Sequence, residues 1–505
     1  MSSEKYIPTI GLEIHAELKT ASKMFCACKN NPDEEQPNAN VCSICLGHPG
    51  TLPVLNMQAI NHVLKMGVAV NGTLADFTEW DRKNYFYPDI PKGYQISQYK
   101  YPLISGGELA GIALERIHLE EDTAQSTHDA KLERGGTSLS LARFHLAQVS
   151  LLNFNRAGVP LMELVTKPVI HSAATAVRFA KELQLLLRYL GAGSANMEKG
   201  EMRVEANISI ASPADTSAGK FGTKTEVKNL NSFRSVEKAI EFEIARQTSL
   251  LESSDLTGQA NKVVQETRGW DDGANETYSQ RSKESSHDYR YFPDPDIPKL
   301  KLSEVPEFSK EILQKELPEL PWVKRDRFKK DFAMTDKEVA VLIESPELAD
   351  YYESIVYSFK GDARKNKLAT NYLLSDYIGL LKVHDHKFDP ASAISPSVFA
   401  ELIEMIASGD VSSRGAKDTI NLLIKSPNSS AKALAEKHGL IQKSDASDLI
   451  PAIEKVLADN AQVVAEYKGG KIASLQYLIG QAMKATKGSG NPEVVKKLLL
   501  EKLSE

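Results

Sequence analysis

The sequence has no uninterrupted apolar run approaching the roughly 20 residues that cross a bilayer. Its start, Met1 to Pro8, lacks the basic flank and apolar stretch of a secretory signal. Basic residues are not in excess either, because 61 Lys and Arg face 67 Asp and Glu, which gives a formal net charge of -6 at pH 7. Coating nucleic acid over a whole surface needs a concentrated positive field. These absences predict a cytoplasmic protein that is not membrane-bound and has at most a local nucleic-acid-binding patch.

Cysteine is scarce, and its distribution is informative. The four cysteines form two close pairs, Cys26 with Cys28 and Cys42 with Cys45, and none occurs elsewhere in the chain. Four thiolates in this pattern can occupy the corners of a tetrahedral zinc site, whereas a reducing cytosol disfavours disulfides. Four unrelated buried cysteines would not cluster in this way. We therefore expect a structural zinc knob over residues 26–45, with no open coordination position and no thiol left for nucleophilic catalysis.

At roughly 100 to 200 residues per domain, a chain of 505 residues is expected to form two to four domains. Up to residue 297, short strand-like runs alternate with Gly and Pro, and two stretches, after Ser172 and near Ser232, have the apolar spacing of a helix. Alternation of polar and apolar residues is clearest over Tyr6–Leu18, Arg203–Ile210 and Lys224–Val227. Residues 1–297 are therefore predicted to be an α+β domain on a mixed or antiparallel sheet.

After residue 297 the pattern changes to successive amphipathic helices. A Ser/Gly/Asp cluster at 408–413 predicts a second boundary, which gives an all-α domain over 298–410 and a helical tail over 411–505. The last helix should begin with Asn491 as its cap and Pro492 as its first residue. From residue 468 to the end, seven lysines face three glutamates, so this end is locally basic.

Carboxylates stand in dense polar clusters inside otherwise apolar segments. Glu13 and His15 lie in IGLEIHAEL, the acidic run 120–122 in IHLEEDTAQSTH, Glu205 in MRVEANISI and Glu226 in TEVKNLNSF. Residues two apart face the same side of a strand, so Glu13 and His15 should project together. Taken singly, each cluster is more typical of solvated or ion-paired residues. The sequence also lacks a G-x-x-x-x-G-K-[ST] loop, which excludes a P-loop ATPase but not a nucleotide site on a sheet.

These segments occur together with three long motifs, DRKNYFYPDIPKGYQISQ, NFNRAGVPLMELVTKP and HDYRYFPDPDIP. The combination closely resembles the GatB family, the B subunits of the aspartyl/glutamyl-tRNA(Asn/Gln) amidotransferases, from Tyr6 to the C-terminus. The resemblance implies a catalytic domain similar to those of glutamine synthetase and guanidino kinases, then a helical domain and a tail. It also implies a ligase that uses ATP to phosphorylate the side-chain carboxylate of Glu or Asp on a misacylated tRNA, after which ammonia displaces the phosphate. In that family an A subunit makes the ammonia from glutamine, and a small C subunit joins A to B.

The resemblance assigns roles to particular residues. It implies a catalytic Mg²⁺ site, which hard oxygen ligands suit, at Glu13, His15, Glu121, Glu205 and Glu226. Guanidinium and ammonium groups can clamp anionic oxygens, so candidates for substrate or phosphate contacts are Arg82, Lys83, Asn84 and Arg290. Structural ion pairs with Asp81, Asp89 or Asp288 are the open alternative for these four.

The basic end of the chain is the predicted tRNA-binding surface. Its candidate phosphate contacts are Lys468, Lys471, Lys484 and Lys487, and the open alternative is a solvated helical face. Two other functions remain possible at this point. A noncatalytic tRNA-binding zinc module would explain the cysteines and the lysines but not the separated carboxylates. A free-standing metallohydrolase would explain the carboxylates but not the basic tail.

Overall fold

A computed structural model describes residues 5–127, 150–257, 262–282, 289–442, 446–486 and 490–504. The chain divides into two compact units, Met1–Leu320 and Pro321–Glu505. The first unit extends past the predicted boundary at residue 297, because Leu300 and Lys301 pair with Thr78 and Phe77. This pairing keeps the segment after residue 297 in the sheet-containing unit. The predicted boundary at residue 410 remains a prediction.

The first unit is built on strands. Their bounds in the described chain are β1 (Ile7–Glu17), β2 (Thr73–Leu74), β3 (Phe77–Thr78), β4 (Asp81–Asn84), β5 (Tyr94–Ser97), β6 (Ile104–Ser105), β7 (Glu108–Leu109), β8 (Ile112–Glu121), β9 (Gln125–Thr127), β10 (Leu151–Asn153), β11 (Pro160–Thr166), β12 (Met202–Ala211), β13 (Thr225–Leu230), β14 (Glu266–Asp271), β15 (Glu276–Ser282), β16 (Phe292–Pro293) and β17 (Leu300–Lys301). The large sheet has the order β15-β14-β13-β12-β1-β11-β8-β6-β2, with β7 paired to β8. Its pairings are antiparallel except for β13 with β14. The predicted mixed sheet is confirmed.

The same unit contains five α-helices in its described residues. They are α1 (Met57–Ala69), α2 (Ala173–Tyr189), α3 (Pro213–Ser217), α4 (Phe233–Thr257) and α5 (Lys310–Glu316). The two helices predicted from the sequence are α2 and α4. The Ser172 hydroxyl caps α2 by accepting from the Thr175 amide at 3.2 Å, and Gly191 ends that helix with a φ of 63°. Both expected helices are confirmed.

The central strands have one apolar and one polar face. On β1, Ile10, Leu12 and Ile14 are fully or almost fully buried, and the neighbouring β12 contributes apolar residues at alternate positions in the same way. Helices α2 and α4 pack against each other, and α4 packs on β12. The opposite face carries Glu13 and His15 on β1, as the alternation of side chains along a strand requires. The fold therefore leaves one sheet face for polar chemistry.

The described residues of the second unit form helices and no strand. Their bounds are α6 (Pro321–Phe332), α7 (Asp336–Leu342), α8 (Pro346–Val356), α9 (Ala363–Asn371), α10 (Ile378–Val383), α11 (Pro396–Ser408), α12 (Ser413–Lys425), α13 (Ala431–Lys437), α14 (Ala446–Asp459), α15 (Ala461–Lys468), α16 (Ala473–Ala485) and α17 (Pro492–Ser504). The Asn491 side chain caps α17 by accepting from the Glu493 amide at 3.0 Å. Helices α14, α16 and α17 share an apolar core that includes Ile453, Leu478 and Leu499. Among the described helices, none is long and apolar enough to span a membrane.

Candidate active site

The polar face of the sheet collects acidic residues and histidines from five adjacent strands. The register places His15 of β1 opposite Glu163 of β11, and Glu163 opposite His118 of β8. On the other side of β1, Glu13 is opposite Glu205 of β12. Directly opposed residues share a face, so antiparallel pairing alone brings distant parts of the chain together.

His15 lies at the centre of this cluster. Its Nε2 is 3.4 Å from Glu163 Oε2, 3.7 Å from Glu120 Oε1 and 3.9 Å from Glu13 Oε1. His118 Nε2 lies 3.3 Å from the same Glu163 oxygen. Three overlapping groups have ligand atoms within 4.8 Å of one another, a spacing that can hold a metal ion: Glu13, His15 and Glu163; His118, Glu120 and Glu163; Glu13, Glu205 and Glu226.

Crowding of carboxylates in the cluster shifts the pKa values of its members and leaves some oxygen atoms without a hydrogen bond. Burial, together with the charges of Glu163 and Glu205, raises the pKa of Glu13 to about 7. Burial also tends to raise the pKa of Glu163, but the charges and hydrogen bonds of His118 and His15 hold that pKa well below its usual range. Among the described residues, Glu120 Oε2 and Asn207 Oδ1 are buried without a hydrogen-bond partner. Crowded carboxylates with unsatisfied oxygens fit a divalent cation that prefers hard oxygen ligands.

The structure brings together four of the five residues predicted for the metal site. Glu13, His15, Glu205 and Glu226 lie on the shared face. Glu121 does not, because side chains alternate along β8 and its carboxylate faces away from the cluster. Its Oε1 accepts from the Ile96 amide at 3.0 Å and pairs with Lys92. In the structure Glu121 therefore lies apart from the cluster, and its neighbour Glu120 occupies it.

Sequence reasoning missed Glu163 and His118. Both lie inside segments that carry the family resemblance, PLMELVT for Glu163 and RIHLEE for His118. For Glu163 the sequence offered one signal, which is a single Glu inside a buried apolar strand. Lys228 was also left out of the predicted site. Its Nζ lies 2.7 Å from Glu205 Oε2 and 3.9 Å from Glu226 Oε1, while Thr267 donates to the other Glu226 oxygen at 2.7 Å.

The residues predicted to contact phosphate have different surroundings in the structure. Arg82 donates to Asp294 at 2.7 Å and to Asp296 at 3.0 Å, so it forms a structural ion pair with two aspartates that the sequence analysis did not consider. Asp288, one of the partners considered there, lies outside the described residues. Asn84 donates to the carbonyl of Tyr289 at 3.1 Å and to that of exposed Arg290 at 2.9 Å. These bonds hold strand β4 against the segment after residue 288.

Lys83 alternates with Arg82 and Asn84 along β4 and faces the opposite way. Its Nζ lies 5.2 Å from the centre of the Tyr289 ring. Burial alone would lower the pKa of Lys83, but the charges of Glu120 and Glu163 more than reverse this effect, so the pKa is raised. These interactions place Lys83 beside the carboxylate cluster.

The four cysteines of the predicted zinc knob come together. Cys45 Sγ lies 3.5 Å from Cys26 Sγ, 3.7 Å from Cys42 Sγ and 3.9 Å from Cys28 Sγ. Zinc–sulfur bonds of about 2.3 Å in a tetrahedron imply sulfur–sulfur separations of about 3.8 Å. All four sulfurs lie within 4.8 Å of one another, so the cluster has the dimensions of a zinc site.

The basic end of the chain presents its lysines to solvent. Lys468, Lys471 and Lys484 are exposed, and Lys471 pairs with Glu466 at 2.8 Å. Lys487 lies outside the described residues. Lys468 lies at the end of α15 and Lys484 on α16, and both remain candidates together with Lys471.

Comparison with known proteins extends these observations to the whole chain. Residues 8–306 match the GatB/GatE catalytic domain, and residues 350–503 match the GatB domain. A protein of Thermodesulfovibrio yellowstonii, named as the B subunit of an aspartyl/glutamyl-tRNA(Asn/Gln) amidotransferase, is 40% identical, over 99% of this chain and 100% of its own length. Proteins with the same name from Moorella thermoacetica (40% identical, over 99% of this chain and 100% of theirs) and Myxococcus xanthus (39% identical, over 100% of both) match similarly. The resemblance seen in the motifs is confirmed, and the chain belongs to the GatB family.

Proposed function

We propose that the chain is the transamidating component of an aminoacyl-tRNA amidotransferase, which is a ligase. In this reaction the side-chain carboxylate of Glu or Asp on a misacylated tRNA(Gln) or tRNA(Asn) is phosphorylated with ATP, and ammonia displaces the phosphate. Activation is required because ammonia cannot expel an oxide from a carboxylate. The cluster of acidic residues and histidines around His15 carries the proposal, since phosphoryl transfer depends on positioning and on neutralising charge. Membership in the GatB family supports it.

The residues of the cluster divide into anionic and cationic groups. Glu13, His15, Glu120, Glu163, Glu205 and Glu226 would hold Mg²⁺, which would offset the charge of the ATP phosphates. Lys83 and Lys228 bring ammonium groups beside these carboxylates, and such groups stabilise the anionic oxygens of a phosphoryl group in transfer. Thr267 fixes the orientation of Glu226 by its hydrogen bond. The polar face therefore provides both the ligands and the cations that the reaction needs.

Three further assignments complete the proposal. The four cysteines hold a zinc ion. This ion is structural, because four thiolates close its coordination shell and leave no position for a water or a substrate. The nitrogen comes from a glutaminase, the A subunit of the complex, and a small C subunit joins that glutaminase to this chain. ATP and aminoacyl-tRNA are cytoplasmic substrates, which places the reaction in the cytoplasm.

Substrate dependence tests the proposed reaction. The purified full-length chain is expected to cleave ATP to ADP only when a misacylated Glu-tRNA(Gln) or Asp-tRNA(Asn) is present, and to form amide with free ammonium but not with glutamine. ADP release and amidated aminoacyl-tRNA are measured with each nitrogen source, and correctly charged tRNA is the control. ATP cleavage without any tRNA would favour a free-standing hydrolase. Binding of tRNA without ATP cleavage would favour a noncatalytic module.

Removing one zinc ligand tests the zinc assignment. Cys42→Ser is expected to lower the zinc content well below one ion per chain and to lower the melting temperature, because metal binding is coupled to folding of the knob. Zinc is measured by mass spectrometry of the freshly purified chain, and Ser43→Ala, at the adjacent position, is the control. Wild-type protein with no zinc and four freely titrating thiols would contradict the assignment.

Charge removal in the tail tests the proposed tRNA surface. Each phosphate contact contributes about 0.9 to the salt slope of duplex binding, so Lys468→Ala with Lys484→Ala is expected to reduce that slope by roughly 2. The apparent KM for aminoacyl-tRNA should rise, while the apparent KM for ammonium should not change. Lys455→Ala, an exposed lysine of α14, is the matched control. Unchanged affinity and salt slope in the folded double variant would show that these lysines form only a solvated helical face.

A further inference from the structure

Lys23 lies beside the cysteine cluster with none of its surface exposed. Its Nζ donates to the carbonyls of Ala157 at 2.7 Å and Phe154 at 3.1 Å, and lies 3.8 Å from Cys45 Sγ. In the described part of the chain, no carboxylate pairs with this ammonium group. A buried charge without an opposite charge is costly, so the position of Lys23 needs an explanation.

Zinc binding would hold all four cysteines as thiolates, and these thiolates would provide the missing negative charge. Four thiolates and one Zn²⁺ carry a net charge of -2, and the Lys23 ammonium group would offset half of it. A donor aimed at a coordinating thiolate is also the usual way in which surrounding residues orient and tune a metal site. The position of Lys23 is thus explained if the cluster holds metal.

The two carbonyls that Lys23 binds belong to residues 153–158, named here the 153–158 loop. Asn155 of this loop is fully buried and is held by the zinc knob, since its Oδ1 accepts from the Asn40 amide at 2.9 Å and its Nδ2 donates to the Gln36 carbonyl at 2.8 Å. Asn38 makes two further hydrogen bonds with the loop. Its backbone N–H donates to Asn153 Oδ1 at 3.2 Å, and its side-chain Oδ1 accepts from the Phe154 backbone N–H at 2.7 Å. The loop is therefore anchored on one side to the cysteine-bearing segment.

The other side of the 153–158 loop is anchored to the end of β8. The Gly158 amide donates to the Asp122 carbonyl at 2.9 Å, and Arg156 Nε donates to the Thr123 carbonyl at 3.1 Å. Gly158 has a φ of 83°, and a Cβ atom at this position would lie 3.6 Å from Lys23 Cδ and 3.9 Å from Glu121 Oε2. These are ordinary contact distances, so glycine is favoured here by its positive φ, which places the loop against Lys23 and the residues that follow Glu120.

We propose that Lys23 is a positioning residue that couples the cysteine-bound zinc to the catalytic sheet. Its ammonium group donates to the Cys45 thiolate and to the carbonyls of the 153–158 loop, so that zinc binding fixes the loop and, through it, the end of β8. This inference rests on the zinc content proposed above. It goes further in assigning the knob a role beyond its own stability.

Wild-type protein gives the first test. Hydrogen exchange of the full-length chain is measured by mass spectrometry with zinc bound and after removal by a chelator. Zinc loss is expected to accelerate exchange in peptides covering 153–159 and 120–124 at least fivefold, while helix α2 exchanges at an unchanged rate. Unchanged exchange in the 153–158 loop, with zinc shown to be absent, would overturn the inference.

A substitution at Lys23 gives the second test. Lys23→Met keeps the length of the side chain and removes its charge and donors, and Lys29→Met makes the same change at an exposed position of the knob. Lys23→Met is expected to weaken zinc binding about 10-fold to 100-fold, measured by competition with a chromophoric chelator, while Lys29→Met matches the wild type. In the Co²⁺-substituted protein, the thiolate-to-metal absorption band should shift to longer wavelength in Lys23→Met only, because the thiolate has lost a positive donor.

The outcomes separate this inference from the proposed function. If the zinc-loaded wild type and Lys23→Met have the same affinity and the same cobalt spectrum, the role of Lys23 is overturned while the transamidation proposal stands. If the wild type binds no zinc, the zinc assignment and this inference fail together, and tRNA-dependent ATP cleavage still tests the reaction. Should Lys23→Met fail to fold, the exchange experiment on the wild type decides the question.

Discussion

Glu163→Gln is expected to lower tRNA-dependent ATP cleavage at least about 100-fold, because it removes a negative charge from the centre of the proposed metal site. Glu163 is the carboxylate shared by His15 and His118, at 3.4 Å and 3.3 Å, and it belongs to two of the three groups that can hold a metal. Its amide replacement keeps the shape but not the charge. ADP release is measured with misacylated tRNA and ammonium, and tRNA binding is measured separately and should be unchanged.

The control for this variant comes from the neighbouring strand. Glu115 lies on β8 and is exposed, so Glu115→Gln makes the same chemical change away from the cluster and should retain full activity. Because Glu163 is buried and lies against His15 and His118, both variants are also compared by thermal unfolding, and activity is assayed where both are folded. Near-normal ATP cleavage by folded Glu163→Gln would remove this residue from the active site.

Local patterns predicted much of the fold. The alternation of polar and apolar residues located β1, β12 and β13 and indicated that Glu13 and His15 share a face, as they do. Capping residues and apolar spacing located α2, α4 and α17. The spacing of the cysteines predicted a four-sulfur cluster, which the structure contains. These features depend on residues close together in sequence, where side-chain direction follows from the backbone type.

The features that the sequence did not predict depend on contacts between residues that are distant along the chain. Glu163 became part of the site only through the pairing of β11 with both β1 and β8, and sequence spacing does not fix strand order. Arg82 pairs with Asp294, which is 212 residues away, so its ion-pair partner could not be identified from its neighbours. A charged residue in a motif indicates chemistry or an ion pair equally well, and only the register of the strands distinguishes them.

The choice between Glu120 and Glu121 shows how a shift of one residue changes the assigned function. Their side chains leave β8 on opposite faces, Glu120 toward His15 and Glu121 toward Lys92. Glu120→Gln is therefore expected to reduce ATP cleavage at least about 100-fold, because it removes a negative charge from the proposed metal site. Stability should change little, because one of the Glu120 oxygens, Oε2, is buried without a hydrogen-bond partner among the described residues.

Glu121→Gln is expected to have the opposite profile. It leaves the nearly buried Lys92 ammonium group without its counter-charge, and breaking a buried ion pair in this way costs about 3–5 kcal/mol of the free energy of unfolding. The folded fraction should still cleave ATP within about tenfold of the wild-type rate, since Glu121 faces away from the carboxylate cluster. Urea unfolding and tRNA-dependent ADP release with free ammonium are measured for both variants side by side. A large loss of ATP cleavage in stable Glu121→Gln, with Glu120→Gln active, would reverse the two assignments and show that the metal site uses the other face of β8.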